Sequence, residues 1–249
     1  MTSKKFVKEH LGKDLYVTDE GFVKVFGDTY TKAGILNEAL NQARVEETDL
    51  NIPKIKSIEV VDGKWSIVMD YIEGKTLSEL MAQNPEKEDE YLELFVDLQR
   101  TVLSKRVPML NKLKDKMQGR ISEAKLDATT RYDLHTRLDS LPKHYNLCHG
   151  DFHPSNVIIT ADGTPYIIDW AHATQGNSSA DVARSYLLFY LAGKKELGDK
   201  YLKLYCKKSD TAIQYVQRWI PIVAASRLCK APEGEKEFLH SWINVVDYE

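Results

Sequence analysis

The sequence predicts an α+β fold with a small β-rich N-terminal lobe, residues 1–73, and a larger, mainly helical C-terminal lobe, residues 74–249. β-prone runs separated by turn residues dominate the first lobe, whereas apolar residues at helical spacing dominate most of the second. The chain of 249 residues exceeds a typical single domain and is short for two full-sized ones. This length also favours two unequal lobes.

The first lobe is predicted to contain two β-hairpins separated by one helix. Between residues 32 and 45 apolar residues recur three and four positions apart, which places them on one face of a helix. Turn residues at 19–21 and at Asp62-Gly63 each join two β-prone runs. The four predicted strands are residues 14–17, 21–26, 55–61 and 65–71.

The second lobe is predicted to be helical except for one hairpin. Helical spacing covers residues 77–82 and 91–102 and resumes from Asp181, and Pro221 predicts a kink or a helix boundary. The polar segment 111–131 is expected to be exposed helix or loop without a chemical role. The hairpin consists of residues 157–160 and 166–169 around a turn at Asp162-Gly163.

Composition narrows the classes of partner. The net charge of −3 and the lack of a dense Lys/Arg block argue against nucleic acid. Three cysteines without CxxC spacing predict reduced thiols and a cytoplasmic location. No uncharged stretch approaches the ~20 residues of a membrane span, and no signal peptide is expected. The sequence therefore predicts a protein that is neither inserted into a membrane nor secreted. A monomer is the simplest expectation.

The most informative feature is an octapeptide followed by the hairpin. The octapeptide is His149-Gly150-Asp151-Phe152-His153-Pro154-Ser155-Asn156, and the hairpin ends in Ile168-Asp169-Trp170. Because paired strands return to their starting point, Asp169 is expected near Asn156, and their amide and carboxylate oxygens suit Mg²⁺. Asp151 is a second carboxylate that could take a proton from an acceptor hydroxyl. Phosphoryl transfer from ATP to a hydroxyl needs this combination of groups.

The octapeptide and the spaced Ile168-Asp169-Trp170 together resemble the HGDxHxxN and IDW or IDF motifs of the aminoglycoside phosphotransferase and choline kinase family. The resemblance implies a protein-kinase-like two-lobe fold, with ATP and Mg²⁺ as cofactors and an alcohol group as acceptor. It implies that Asp151 is the catalytic base and that Asn156 and Asp169 bind the metal. Too few residues separate Asp169 from Asp181 for the activation segment of a protein kinase, which favours a small-molecule acceptor.

The same resemblance extends to the first lobe. Lys24 and Glu38 match, in kind and order, the family lysine that contacts the nucleotide phosphates and the helix glutamate that pairs with it. Residues 68–74 resemble the hinge whose backbone groups bind adenine. Three hinge residues are expected to contact the nucleotide: Met69, Asp70 and Tyr71. The glycine-rich phosphate cover of the family is reduced to residues 11–13, which leaves the choice between ATP and GTP open.

Two other functions stay open at this point. A catalytically silent nucleotide-binding module would retain the same residues. A metal-dependent hydrolase would use a His-x-Asp-x-His pattern, although it would leave Asn156 and the first lobe without a role. Its ligands would be His149, Asp151, His153, Asp169 and His172.

The acceptor is not determined by the sequence. A cationic acceptor, such as an aminoglycoside or choline, could be bound by acidic residues near the end of the chain, although these are also typical of an exposed helix. They are Glu233, Glu235, Glu237, Asp247 and Glu249. His149 and His153 are expected to brace the loop around Asp151, and Asp181 is expected to cap a helix or anchor a loop.

Overall fold

The computed structural model describes residues 4–10 and 12–243, and the chain forms two compact units. Unit 1 comprises Met1–Pro85 and Pro154–Ala173, and unit 2 comprises Glu86–His153 and Thr174–Glu249. The predicted hairpin thus belongs to the same unit as the N-terminal strands. The boundaries of these units differ from those of the predicted lobes, residues 1–73 and 74–249. The assignment of nucleotide binding to the first lobe and of catalysis to the second stays a prediction.

Within the described part of unit 1, an antiparallel sheet has the strand order β1-β2-β3-β5-β4. Its strands are β1 Lys4–His10, β2 Lys13–Thr18, β3 Gly21–Phe26, β4 Ile55–Val61 and β5 Lys64–Met69. The two predicted hairpins are present, and β3 pairs with β5 to join them. Strand β1 was not predicted, because its lysines and glutamate lack the alternation of a half-buried strand.

Helix α1, Lys32–Val45, has the bounds that the apolar spacing predicts. It begins at Thr31, whose side chain accepts a hydrogen bond from the Gly34 N–H. Its buried Ile35 and Ala39 pack in one cluster with side chains of β3 and β5. Helix α1 therefore lies on one face of the sheet.

A second, three-stranded sheet in unit 1 has the order β6-β8-β9, formed by Lys75–Thr76, Val157–Ile159 and Pro165–Ile167. Strands β8 and β9 are the predicted hairpin. Helix α2, Leu77–Gln83, follows β6 directly and begins with a capping box between Thr76 and Glu79. At Gly74 a Cβ atom would lie 2.4 Å from the Ile159 carbonyl oxygen, so only glycine fits beside this sheet.

Unit 2 is mainly helical and contains one small sheet, in which β7, Asn146–Cys148, pairs with β10, Thr174–Gly176. Its described helices are α3 Glu88–Ser104, α4 Leu113–Glu123, α5 Ala128–Ser140, α6 Ser178–Leu191, α7 Lys195–Ser209, α8 Ile213–Gln217, α9 Ile220–Leu228 and α10 Glu233–Ile243. Helix α9 is buried along most of its length and packs against α4, α5, α6 and α10. It is the core element of this unit.

Two predictions for unit 2 are refined by the structure. Pro221 is the second residue of helix α9, in the first turn, where a missing backbone N–H is tolerated, so the predicted helix boundary is confirmed. The segment 111–131 holds α4, which buries Leu113, Met117 and Ile121, so the expectation of exposed helix or loop was wrong for this face. In the described part of the chain, no helix combines the length and apolar character needed to cross a bilayer.

Candidate active site

The predicted nucleotide-contacting residues Lys24 and Glu38 meet the predicted metal ligand Asp169 in unit 1. The Lys24 Nζ lies 3.1 Å from Glu38 Oε1 and 3.0 Å from Asp169 Oδ1. Only 11% of the Lys24 side chain is exposed. Burial lowers the pKa of Lys24, but the carboxylates of Asp169 and Glu38 outweigh this effect and hold it above its ordinary value. Lys24 therefore stays charged between two carboxylates.

Lys13 is a second cation that contacts Glu38, and it was not predicted from the sequence. Its Nζ lies 2.8 Å from Glu38 Oε2 and 4.9 Å from the centroid of the Phe26 ring. Lys13 is paired directly with Phe26 across β2 and β3, and Phe26 lies two positions after Lys24. Because alternate residues of a strand share a face, this register puts both lysines on one face of the sheet. Lys13 could have been identified only from the register of β2 and β3, because it belongs to no sequence motif.

Asn156 and Asp169 lie at adjacent ends of the β8–β9 hairpin. The Ile168 N–H donates to the Asn156 carbonyl oxygen at 3.0 Å, and Val157 pairs with Ile167. Asp169 then adopts a φ of 65°, in the left-handed region that aspartate tolerates better than most residues. The strand pairing thus returns Asp169 to the neighbourhood of Asn156.

The donor atoms at this end of the hairpin fit Mg²⁺. An amide and a carboxylate are hard oxygen donors, and two protein ligands leave positions for phosphate and water. Among residues 4–10 and 12–243, no group of three or more His, Cys, Asp or Glu side chains is placed to hold a metal ion. The structure thus gives no support to the histidine-rich site of a hydrolase.

Asp151 lies in unit 2, where its carboxylate is flanked by two cationic or potentially cationic side chains. Asp151 Oδ1 accepts a hydrogen bond from Arg184 Nη2 at 3.3 Å, and Oδ2 lies 3.5 Å from His153 Nε2. The Asp151 N–H donates to Nδ1 of the buried His149 at 3.2 Å. Both histidines therefore contact Asp151 as expected. Arg184 was not predicted, because it lies on a helix far along the chain.

Helix α6 holds the loop around Asp151. The buried Asp181 accepts a hydrogen bond from the Gly150 N–H at 2.7 Å, and Ser185 Oγ donates to the Phe152 carbonyl oxygen at 2.7 Å. Burial raises the pKa of Asp181, although His149 and the Gly150 N–H act in the opposite direction. Of the two expected roles for Asp181, the structure shows the loop anchor, because Asn177 is the cap of α6.

The predicted hinge lies at the end of β5. Met69 is buried opposite Phe22 on β3, and Tyr71 is exposed. The Asp70 N–H donates to the Lys54 carbonyl oxygen at 2.9 Å, and its carboxylate accepts from the Lys54 N–H at 3.1 Å. A cavity of about 740 Å³ is lined by Asp70 and Tyr71, but Lys24, Glu38 and Asp169 are not among its lining residues. The cavity therefore does not identify the phosphate site.

Two of the acidic residues considered for a cationic acceptor, Glu233 and Glu235, form ion pairs. Arg227 donates to both carboxylate oxygens of Glu235, at 2.6 and 2.7 Å, and Lys236 contacts Glu233. Asp247 and Glu249 lie outside the described residues, as does Leu11 of the predicted phosphate cover. Among the described residues, Glu233 and Glu235 are thus held in ion pairs, and the acceptor role of this acidic segment stays a prediction.

Comparison with solved structures defines the class of fold. A thermostable mutant of aminoglycoside phosphotransferase APH(4)-Ia in ternary complex with ADP and hygromycin B aligns with a TM-score of 0.72 and 12% identity, covering 96% of this chain and 90% of that one. ADP-bound aminoglycoside phosphotransferase APH(2'')-Ib gives 0.63 at 16% identity, covering 97% and 92%. Choline kinase LicA from Streptococcus pneumoniae gives 0.60 at 16% identity, covering 99% and 88%. The predicted protein-kinase-like α+β fold is confirmed.

The family follows from the sequence match. The model of the phosphotransferase enzyme family matches residues 13–218, and the chain belongs to this family. The predicted enzyme class, a phosphotransferase, is thereby confirmed. Among curated protein sequences, no relative matches the chain.

Proposed function

We propose that this phosphotransferase is an ATP-dependent small-molecule kinase that moves the γ-phosphoryl group to a hydroxyl of its acceptor. The observation that carries the proposal is Lys24, held between Glu38 and Asp169 with 3.1 and 3.0 Å contacts. A largely buried ammonium fixed between a helix carboxylate and a predicted metal ligand is the arrangement that phosphate binding in this fold requires. An ordinary surface lysine would not be held in this way.

At the nucleotide, Lys24 would contact the phosphates, and Asn156 and Asp169 would hold Mg²⁺. The bound metal would neutralise charge on the phosphate oxygens. Glu38 keeps Lys24 in position, and Lys13 supplies a second positive charge to Glu38. Because the Asp70 N–H already bonds Lys54, adenine would use other hinge groups, such as the Asp70 carbonyl.

At the acceptor, Asp151 would orient the hydroxyl and take its proton during transfer. Arg184 and His153 fix the direction of its carboxylate, and the Asp181 anchor fixes the loop. Positioning the hydroxyl in line with the phosphate supplies much of the rate in such reactions. Hygromycin B and choline occur in the names of similar structures and are first candidates as acceptors.

The test combines nucleotide binding with turnover. Asp151→Asn should keep the affinity for Mg²⁺-ATP within about threefold and lower kcat by at least about a hundredfold, because it removes the base and leaves the nucleotide contacts. The matched control is Asp133→Asn, which makes the same change at an exposed position of α5 and should leave both quantities unchanged.

Two outcomes would count against the proposal. Unchanged turnover in Asp151→Asn would remove the base from the mechanism. Tight Mg²⁺-ATP binding without transfer to any hydroxyl compound would instead identify a catalytically silent module.

A further inference from the structure

The turn that joins β1 to β2 is short. His10 pairs with Lys13, so two residues connect the strands. The Gly12 N–H donates to Glu9 Oε1 at 3.2 Å, and the Gly12 carbonyl oxygen accepts from the Gly27 N–H at 3.0 Å. The glycine-rich loops that cover nucleotide phosphates are longer and offer several backbone N–H groups. This turn offers few such groups, because it is short and its Gly12 N–H is already engaged.

Lys13 follows this turn and shares a carboxylate with Lys24. The Lys13 Nζ lies 2.8 Å from Glu38 Oε2, and the Lys24 Nζ lies 3.1 Å from Glu38 Oε1. Only 12% of the Lys13 side chain is exposed, close to the 11% of Lys24. Burying an ammonium group is costly unless a carboxylate or a ligand compensates it. The two lysines are thus held alike, on opposite oxygens of one buried carboxylate.

Magnesium binding would change the balance of charge around these two lysines. The Lys24 Nζ also lies 3.0 Å from Asp169 Oδ1. If Asp169 binds Mg²⁺ as proposed, much of its negative charge is directed to the metal. Glu38 is then the carboxylate left between the two ammonium groups. A phosphate group beside Lys13 would compensate the second ammonium group through a charge-assisted hydrogen bond.

The strand order indicates which end of a nucleotide Lys13 would meet. Strand β3, which carries Lys24, lies between β2, which carries Lys13, and β5, which ends at the predicted hinge. Neighbouring strands are about 4.7–4.9 Å apart, so Lys13 lies one strand further from the hinge than Lys24. A nucleotide with its adenine at the hinge and a phosphate at Lys24 would extend its last phosphates toward Lys13.

We infer that Lys13 is a second nucleotide-binding residue, whose ammonium group contacts a terminal phosphate of ATP in place of the backbone N–H groups of a glycine-rich loop. This inference rests on the proposed function and adds a residue to its nucleotide site. The rings of Phe26 and Tyr30 hold the side chain on this face of the sheet, with their centroids 4.9 and 5.3 Å from the Lys13 Nζ. A lysine binds phosphate as a point charge and needs no special backbone geometry.

The first test is titration calorimetry of the full chain with Mg²⁺-ATP. Lys13→Met should weaken binding by about tenfold or more, the loss expected for one charge-assisted hydrogen bond. AMP lacks the terminal phosphates, so its affinity should change by less than about twofold. The matched control is Lys64→Met, which removes an exposed lysine at the start of β5 and should change neither affinity. Urea unfolding checks that each variant is folded.

The second test repeats the Lys13 change in a Glu38→Gln background. If Lys13 contacts a phosphate, Lys13→Met should weaken Mg²⁺-ATP binding in this background as well. If Lys13 serves only to hold Glu38, the charge that it compensates is already absent and the change should have no further effect. The two tests thus separate a phosphate contact from a purely structural ion pair.

Three results would overturn the inference. They are an affinity of Lys13→Met for Mg²⁺-ATP close to that of the parent, an equal loss of affinity for ATP and AMP, and an effect that disappears in the Glu38→Gln background. In each case the parent still binds Mg²⁺-ATP, so the proposed function stands. A parent chain that does not bind Mg²⁺-ATP at about 1 mM, where even weak binding of about 4 kcal/mol is detected, refutes the proposed function and the inference with it.

Discussion

Replacing Lys24 by methionine tests whether the lysine holds a buried carboxylate in place. Glu38 is only 9% exposed, and Lys24→Met removes one of its two ammonium partners. Breaking an isolated buried ion pair costs about 3–5 kcal/mol, because a charge is left without compensation. Lys13 remains 2.8 Å from Glu38, so we expect a smaller loss of unfolding free energy, about 1–3 kcal/mol.

The assay is urea unfolding at pH 7 of the parent, of Lys24→Met, of Glu38→Gln and of the double variant. Glu38→Gln removes the charge that Lys24 compensates. The loss of unfolding free energy in the double variant should therefore be smaller, by at least about 1 kcal/mol, than the sum of the losses in the two single variants. The control is Lys56→Met, whose ion pair with Asp70 spans 3.5 Å with both side chains more than a third exposed. Its expected change is below about 0.5 kcal/mol.

The reasoning is refuted if the Lys24 and Glu38 changes are additive within about 0.5 kcal/mol, the range typical of independent sites. It is also refuted if Lys24→Met costs no more than Lys56→Met. Nucleotide binding gives an independent readout, because Lys24→Met should weaken ATP binding whatever its effect on stability.

Three further predictions concern Asp169, Asp181 and Lys116. Asp169→Ala should raise the Mg²⁺ concentration needed for half-maximal ATP binding, and an unchanged Mg²⁺ dependence would show that another residue is the ligand. Asp181→Ala should release the Gly150 N–H and lower kcat by about tenfold or more, with little change in ATP affinity, as measured by steady-state kinetics. Lys116→Met should stabilise the protein more at pH 6 than at pH 10, as measured by urea unfolding at both values. The reason is that burial lowers the pKa of Lys116 to about 7 in the folded protein, below its value in the unfolded chain. Between these two pKa values the folded protein binds fewer protons than the unfolded chain, so the parent gains stability as the pH rises. Methionine does not titrate, so the variant lacks this gain.

The sequence by itself determined the local elements and the chemical motif. The spacing of apolar residues set the bounds of α1, and turn residues located the hairpin that ends near Asp169. These features depend on neighbours in the chain, so a pattern of a few residues is sufficient to predict them. The octapeptide also indicated the phosphotransferase class, which the family match confirms. The roles of Asp151, Asn156 and Asp169 stay predictions.

The tertiary structure decided which distant side chains surround these residues. Lys13 reaches Glu38 through the register of β2 and β3, and Arg184 reaches Asp151 from another element of the same unit. Lys116 and Arg120 lie in a segment whose polar composition predicted only an exposed surface. Electrostatic interactions depend on distance in space and on burial, neither of which a linear pattern records. For this reason the partners of Glu38 and Asp151 could be identified only from the folded chain.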